Sequence, residues 1–356
     1  MTGQELPLRL NYSLMVAETD DGLALHVADA EPFTVRGDYA LLLAVLGAVN
    51  AARNESEIAA VLADAYTEER VREVLSFARA HNLLKSVALT DRIVAESLGK
   101  WDRQIRNFTN LSGIDDDAAV DLHRRLVNAH VLIVGVGGVG GYVASASAMI
   151  GVGRISIVDF DSVELSNTSR QVLYTEADIG RRKLDVAVSE LTRRAPSASI
   201  HAVDCEITDD QSMVEVVETA KSLNGAIDLL VLCADQPRGE IANIVDRASQ
   251  SAGVPFLVCS PHDFSHASVG PLVIPGITKS YSDAFPSTRI RTDNVLVQAV
   301  NAQFIANIME PYNGIAAKMA MIEIVKFITG YARPFVQDRV VNLDTADWSV
   351  TVHEID

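Results

Sequence analysis

The sequence predicts an α/β protein, a mostly parallel sheet domain preceded by a smaller α+β unit, and three observations predict it. The apolar run 131–134 passes directly into Gly135-Val136-Gly137-Gly138-Val139-Gly140 and then into an Ala- and Ser-rich stretch. A second apolar run, 155–158, ends in Asp159. Beyond it the chain alternates between helical and strand-like patterns: helical over 184–194, strand-like over 199–203, then a further helix and a strand over 229–232.

Strand, glycine-rich turn, helix and strand in that order form a βαβ unit of the Rossmann-like type. The glycines let the backbone turn tightly and approach a phosphate, and the helix N-terminus faces the anion. Asp159, closing the second strand, is placed to hydrogen-bond ribose hydroxyls. Residues 131–153 carry no charge, as a membrane span would, but seven glycines and strand-like ends argue for the nucleotide fold.

The continuation narrows the chemistry. Asp161, Asn167, Arg170, Gln171 and Lys183 gather beyond the second strand. A nicotinamide dehydrogenase needs no such set. An enzyme that cleaves ATP does, because charge on a rearranging triphosphate must be neutralised. On these residues the sequence resembles the ubiquitin-activating-enzyme-like ThiF/MoeB superfamily. It is closest in plan to the MccB-type adenylating enzymes that modify ribosomally made peptides.

The resemblance implies a nucleotide site of Gly135, Gly137, Gly138, Gly140, Asp159, Asp161, Asn167 and Gln171, with Arg170 and Lys183 on the phosphates. Asp235, just beyond the strand 229–232, corresponds to the acid that helps hold magnesium. The segment Lys100-Trp101-Asp102-Arg103-Gln104-Ile105 is similar to the superfamily's entry motif, where an arginine at the place of Arg103 reaches the partner subunit's ATP. A homodimer follows from that likeness. Two departures are visible. No cysteine lies in the crossover segment 263–294, where thioester-forming members carry one, and the paired zinc cysteines are missing, with Tyr281 about where one pair would begin.

Composition sets outer bounds. The 356 residues suffice for two domains, and 48% hydrophobic with 22% charged residues describes a globular chain. The N-terminus lacks the basic start and apolar core of a signal peptide, so a cytoplasmic protein is expected. A net charge of −17 argues against nucleic acid or an anionic membrane as partner. Cys205, Cys233 and Cys259 form no CxxC pair, so no zinc is expected; Cys233 and Cys259 each close an apolar run and read as buried small hydrophobes.

Residues 1–92 predict a separate unit of winged-helix-like plan. Apolar segments 8–17 and 23–28 flank Asp21-Gly22, a hairpin signal, and Phe33-Thr34-Val35 supplies a third strand. Helical patterns follow over 39–49, from Asn54-Glu55-Ser56-Glu57 to about 65, and after Thr67 with Val71, Val74, Leu75 and Ala78 on one face. Residues 83–89 close the unit as a strand or wing. Such a unit serves DNA or an extended peptide. With 14 Asp and Glu against 8 Lys and Arg in residues 1–92, DNA is disfavoured, leaving peptide pairing along a sheet edge or a dimerisation cap.

Residues 93–120 read as a linker and dimer-contact segment, and 121–356 as the ThiF-like adenylation domain. Arg238, Asn243, the His262/His266 pair, Arg289 and Arg291 are polar residues without an assigned role. Asn313-Gly314 is expected to precede a helix over 315–329, with strands over 340–343 and 348–352. The expected activity is ATP-dependent adenylation, with release of pyrophosphate, of a carboxylate or carboxamide on a short peptide held by the N-terminal unit. Its rivals are adenylation of a ubiquitin-like sulfur carrier, a noncatalytic peptide-presenting scaffold, and a dinucleotide oxidoreductase that shares only the glycines.

Overall fold

The computed structural model describes residues 6–28, 30–49, 53–111, 114, 116–261, 265–286, 295–301 and 308–355. The chain divides into two compact units, Met1–Leu122 and His123–Asp356, so residues 93–120 fall within the first.

In the first unit, β1 (Leu8–Leu10) and β2 (Met15–Thr19) are separate strands in different sheets. The single strand expected over 8–17 is broken at Asn11. Its side-chain oxygen accepts from the Ser13 N–H (3.0 Å) and hydroxyl (2.9 Å), an Asx-type turn that competes with extension. β2 forms a hairpin with β3 (Gly22–His26), with Thr19 opposite Gly22, and β4 (Phe33–Val35) completes a three-stranded antiparallel sheet in the order β2-β3-β4.

The helices α1 (Ala40–Ala48), α2 (Glu55–Val61) and α3 (Glu68–Ala80) follow. Asn54 and Glu57 close a capping box at α2, each side chain accepting from the other's backbone N–H at 2.9 and 2.8 Å. α2 ends at Val61, short of the expected 65. α3 buries Val71, Leu75 and Ala78 against Leu23, Leu25, Leu41, Val45 and Ile58.

The strand expected over 83–89 divides as well: β5 (Leu84–Ser86) pairs antiparallel with β1, and α4 (Ala88–Ala95) begins at once. A short apolar run carries no periodicity that separates a strand end from a helix start. α5 (Asp102–Phe108) and α6 (Asp116–Asn128) follow.

The second unit is built on one eight-stranded sheet. Its elements run β6 (His130–Val134), α7 (Gly138–Ile150), β7 (Arg154–Asp159), α8 (Lys183–Arg194), β8 (Ser199–Asp204), α9 (Asp210–Asn224), β9 (Leu229–Leu232), α10 (Ile241–Ala252), β10 (Phe256–Pro261), β11 (His266–Val273), α11 (Tyr281–Ala284), α12 (Val295–Asn301), α13 (Glu310–Thr329), β12 (Arg339–Asp344) and β13 (Val350–Glu354). The strand order is β13-β12-β11-β10-β9-β6-β7-β8. β8, β7, β6, β9 and β10 are parallel, and β11 to β13 extend the sheet antiparallel.

Alternation along the strands divides the core in two. Val131, Ile133, Ile155 and Ile157 face α7, α8 and α13, whereas Leu132, Val134, Leu230 and Leu232 face α9 and α10. Both faces are covered, which is why β6 and β9 read as continuous apolar runs.

Two boundaries differ from expectation. α13 starts at Glu310, so Asn313 and Gly314 lie inside it; Pro311 supplies a favoured first-turn residue, and packing on α7 overrides the Asn-Gly break. The final strand is displaced to Val350–Glu354, because Asp347 and Trp348 (φ 61°) turn the chain first, the Asp347 carboxylate accepting from the Ser349 N–H at 2.8 Å.

Candidate active site

The carboxyl ends of β6, β7 and β9 meet at the glycine loop. Gly135 leaves β6 with φ +86°, a conformation L side chains rarely adopt, and Ala234 lies directly against it. Gly137 is the N-cap of α7, Gly138 its first residue, and Gly140 sits in its first turn.

Asp159 holds this loop. Its Oδ2 accepts from the Val136 N–H (2.9 Å), while Oδ1 accepts from Phe160 N–H (2.9 Å) and Asp161 N–H (3.0 Å). Three backbone donors leave the carboxylate one lone-pair direction for a further donor. Tyr174, which sequence reasoning missed, supports the loop from the other side by donating its hydroxyl to the Val136 carbonyl at 2.9 Å. Burial, with Asp159 and Asp161 nearby, holds its phenol protonated far above the ordinary range. Its signal in sequence was slight, an isolated Tyr after Leu173 with nothing to tie it to residue 136.

The charged set gathers beyond β7. Lys183, the first residue of α8, is buried and donates from Nζ to Asp161 Oδ2 at 2.7 Å. Asn167 is buried and accepts from the Glu164 N–H at 3.1 Å, shaping the turn that carries Arg170 and Gln171. Arg170 is half-buried and donates to the Ser166 carbonyl. Gln171 is buried with its Oε1 unpartnered, and its Nε2 lies 3.6 Å from where a Cβ on Gly137 would stand. A buried orphan acceptor beside the glycine loop suits a ligand donor.

Asp235 is exposed, next to Ala234 and three residues past the end of β9. Among the described residues no three His, Cys, Asp or Glu side chains form a metal cluster. A single carboxylate is nonetheless the donor set that magnesium uses when phosphates and water supply the remaining oxygens. Arg103 is exposed on α5 in the first unit.

Cys233, half-buried just past β9, and Cys259, buried within β10, are free thiols on neighbouring parallel strands. Cys259 donates to the Ala316 carbonyl at 3.5 Å, and the neighbouring Cys259 thiol and desolvation push the Cys233 thiol up, the opposite of an activated nucleophile. At Tyr281, near the position expected for a zinc pair, the chain is tied down differently. The buried Asp246 carboxylate accepts from Tyr281 N–H (3.1 Å) and Ser282 N–H (3.0 Å) at the start of α11, and Ser282 Oγ donates to Asn243 Oδ1 at 3.0 Å. His266 lies at the start of β11, 3.3 Å from Asp344; His262, Arg289 and Arg291 lie outside the described residues. Among the described residues no helix is long and apolar enough to cross a membrane.

A glycine loop at the β6–α7 junction, with an acid at the end of β7 and an Arg-Lys set beyond it, defines an adenylyltransferase-type α/β protein. The chain belongs to the ThiF family, whose model matches residues 102–356. It is 28% identical over 242 residues to the Escherichia coli molybdopterin-synthase adenylyltransferase, covering 66% of this chain and 84% of that relative. It is 27% identical over 235 residues to the E. coli sulfur carrier protein ThiS adenylyltransferase, covering 65% and 85%. A crystal structure of E. coli MccB with AMPCPP and MccA superposes with a TM-score of 0.75 at 20% identity, over 98% of this chain and 96% of that one. The fold is thus shared with MccB across both units.

Proposed function

We propose that this chain is an ATP-dependent adenylyltransferase that activates a carboxylate or carboxamide oxygen of a ribosomally made peptide. The supporting observation is the pairing of an adenylyltransferase-type site with an N-terminal unit whose three-stranded sheet leaves β2 exposed at all five positions. An extended peptide gains main-chain hydrogen bonds along such an edge, and tethering raises the effective concentration of its reacting end. The likeness to MccB bound to AMPCPP and MccA agrees with this reading.

In the proposed reaction the substrate oxygen attacks the α-phosphorus of ATP. An oxygen–phosphorus bond forms there as the bond to the bridging oxygen breaks, and pyrophosphate leaves. No protein nucleophile is required. Lys183 and Arg170 neutralise the phosphates, Asp159 holds the ribose, and Gln171 offers its free acceptor to the nucleotide. Asp235 would hold magnesium, which supplies Lewis-acid charge at the phosphates. Arg103 acts across a homodimer on the partner's nucleotide. The contribution of these groups is positioning and preorganised charge.

The ThiS and molybdopterin-synthase relatives favour a second reading, a sulfur-carrier protein as substrate. ATP–pyrophosphate exchange separates the two. Stimulation by a short peptide encoded beside this gene, and not by a carrier ending in Gly-Gly, supports the peptide reading; the reverse result replaces it. No exchange with either, and no ATP binding, refutes adenylation.

A further inference from the structure

Asn313 lies in the first turn of α13, far along the chain from the glycine loop, yet it is only 2% exposed. Its Nδ2 donates to the Arg170 carbonyl at 3.3 Å. The same amide occupies the space that a side chain on Gly138 would need: a Cβ there would stand 2.7 Å from the Asn313 Cγ and 3.0 Å from its Oδ1. The seat is braced one turn of α7 later, where the Tyr142 hydroxyl donates to Glu310 at the start of α13. Burial and Glu310 hold the Tyr142 phenol protonated, its pKa pushed up to about 12, so this brace persists across the neutral range.

One amide therefore touches both the first residue of α7 and the backbone of the residue assigned to the phosphates. We propose that Asn313 is a positioning residue for the triphosphate, setting the distance between the N-terminus of α7 and the Arg170 turn. This rests on the adenylation reading above. Gly138 is glycine, on this account, to admit Asn313, whatever the nucleotide also requires of it. A β-carbon at 138 displaces the amide, and loss of the amide releases Arg170.

The test uses the full-length protein, with ATP affinity measured by calorimetry, KM and kcat by ATP–pyrophosphate exchange, and folding by thermal denaturation. Asn313→Val removes the donor at similar volume. It is expected to weaken ATP binding about 5–10-fold and, because the same bond is lost in the free protein, to lower the unfolding midpoint by about 2–4 °C. In an Arg170→Ala background the same change is expected to cost nothing more, because Asn313 acts through Arg170. Gly138→Ala is expected to weaken ATP binding, and adding Asn313→Ala to recover part of that loss.

Wild-type affinity in Asn313→Val overturns the inference and leaves adenylation standing. So does a full additional loss in the Arg170→Ala background, as a merely structural role would give. No recovery in the Gly138→Ala, Asn313→Ala pair overturns the account of Gly138. A wild-type protein that does not bind ATP overturns the adenylation reading and this inference together.

Discussion

Replacing Lys183 with methionine keeps the aliphatic stem in its buried channel and deletes only the charge. Two consequences of different size follow. For stability, the ion pair to Asp161 has one side chain 7% exposed and the other 48% exposed. A wholly exposed pair contributes about 0.2–1 kcal/mol, while breaking a wholly buried one costs about 3–5. With Asp161 free to take up water, the loss lies near the lower range, roughly 1 kcal/mol, and the unfolding midpoint is expected to fall by about 2–4 °C. For catalysis, the cation would face a triphosphate whose charge shifts during reaction. Removing a preorganised group of that kind costs about 100–1000-fold in rate. Lys183→Met should therefore stay folded and lose at least ~100-fold in ATP–pyrophosphate exchange. Exchange within a few-fold of wild type, in protein that remains folded at the assay temperature, would refute the phosphate role of Lys183.

Three further outcomes are expected. Arg103→Ala and Asp235→Ala subunits, each inactive alone, should regain part of the activity when mixed, through one intact composite site; a dead mixture with proven subunit exchange would remove Arg103 from the partner's site. Burial lowers the pKa of both His123, to about 4, and His130 below the ordinary 6.5, so the unfolded chain binds protons that the folded chain refuses. Their stability contribution is complete above pH 6.5 and is lost as pH falls toward 4, by roughly 3 kcal/mol for His123; a His123→Gln variant with an undiminished slope of stability against pH would contradict this. Asp246→Ala strands the two N–H groups that start α11 and should cost about 2–4 kcal/mol in denaturant unfolding, whereas a loss under ~0.5 kcal/mol would show that the carboxylate is not the anchor of that segment.

What could be read in advance was whatever neighbours in sequence decide. The capping box joins Asn54 and Glu57, only three positions apart. The β6–α7 turn follows from glycines whose backbone freedom is their own property. The places of Asp159 and Lys183 at element ends were legible because each closes or opens an element with a clear period. Boundaries failed where two local preferences compete: Asn11 favours its own turn over one long strand, and the run 83–89 suits a strand end and a helix start equally.

The sequence by itself thus determined the α/β class, the nucleotide-type loop and the gathering of Asp161, Asn167, Arg170, Gln171 and Lys183 beyond one strand. Only the tertiary structure decided that Asp159 spends most of its carboxylate on the loop's own backbone, that Asp246 anchors the segment where zinc cysteines were sought, and that Asn313 meets Arg170 from 143 residues away. Packing is the reason. Buried polar groups must find partners wherever the sheet and helices bring them, and sequence distance carries no information about which partner that will be.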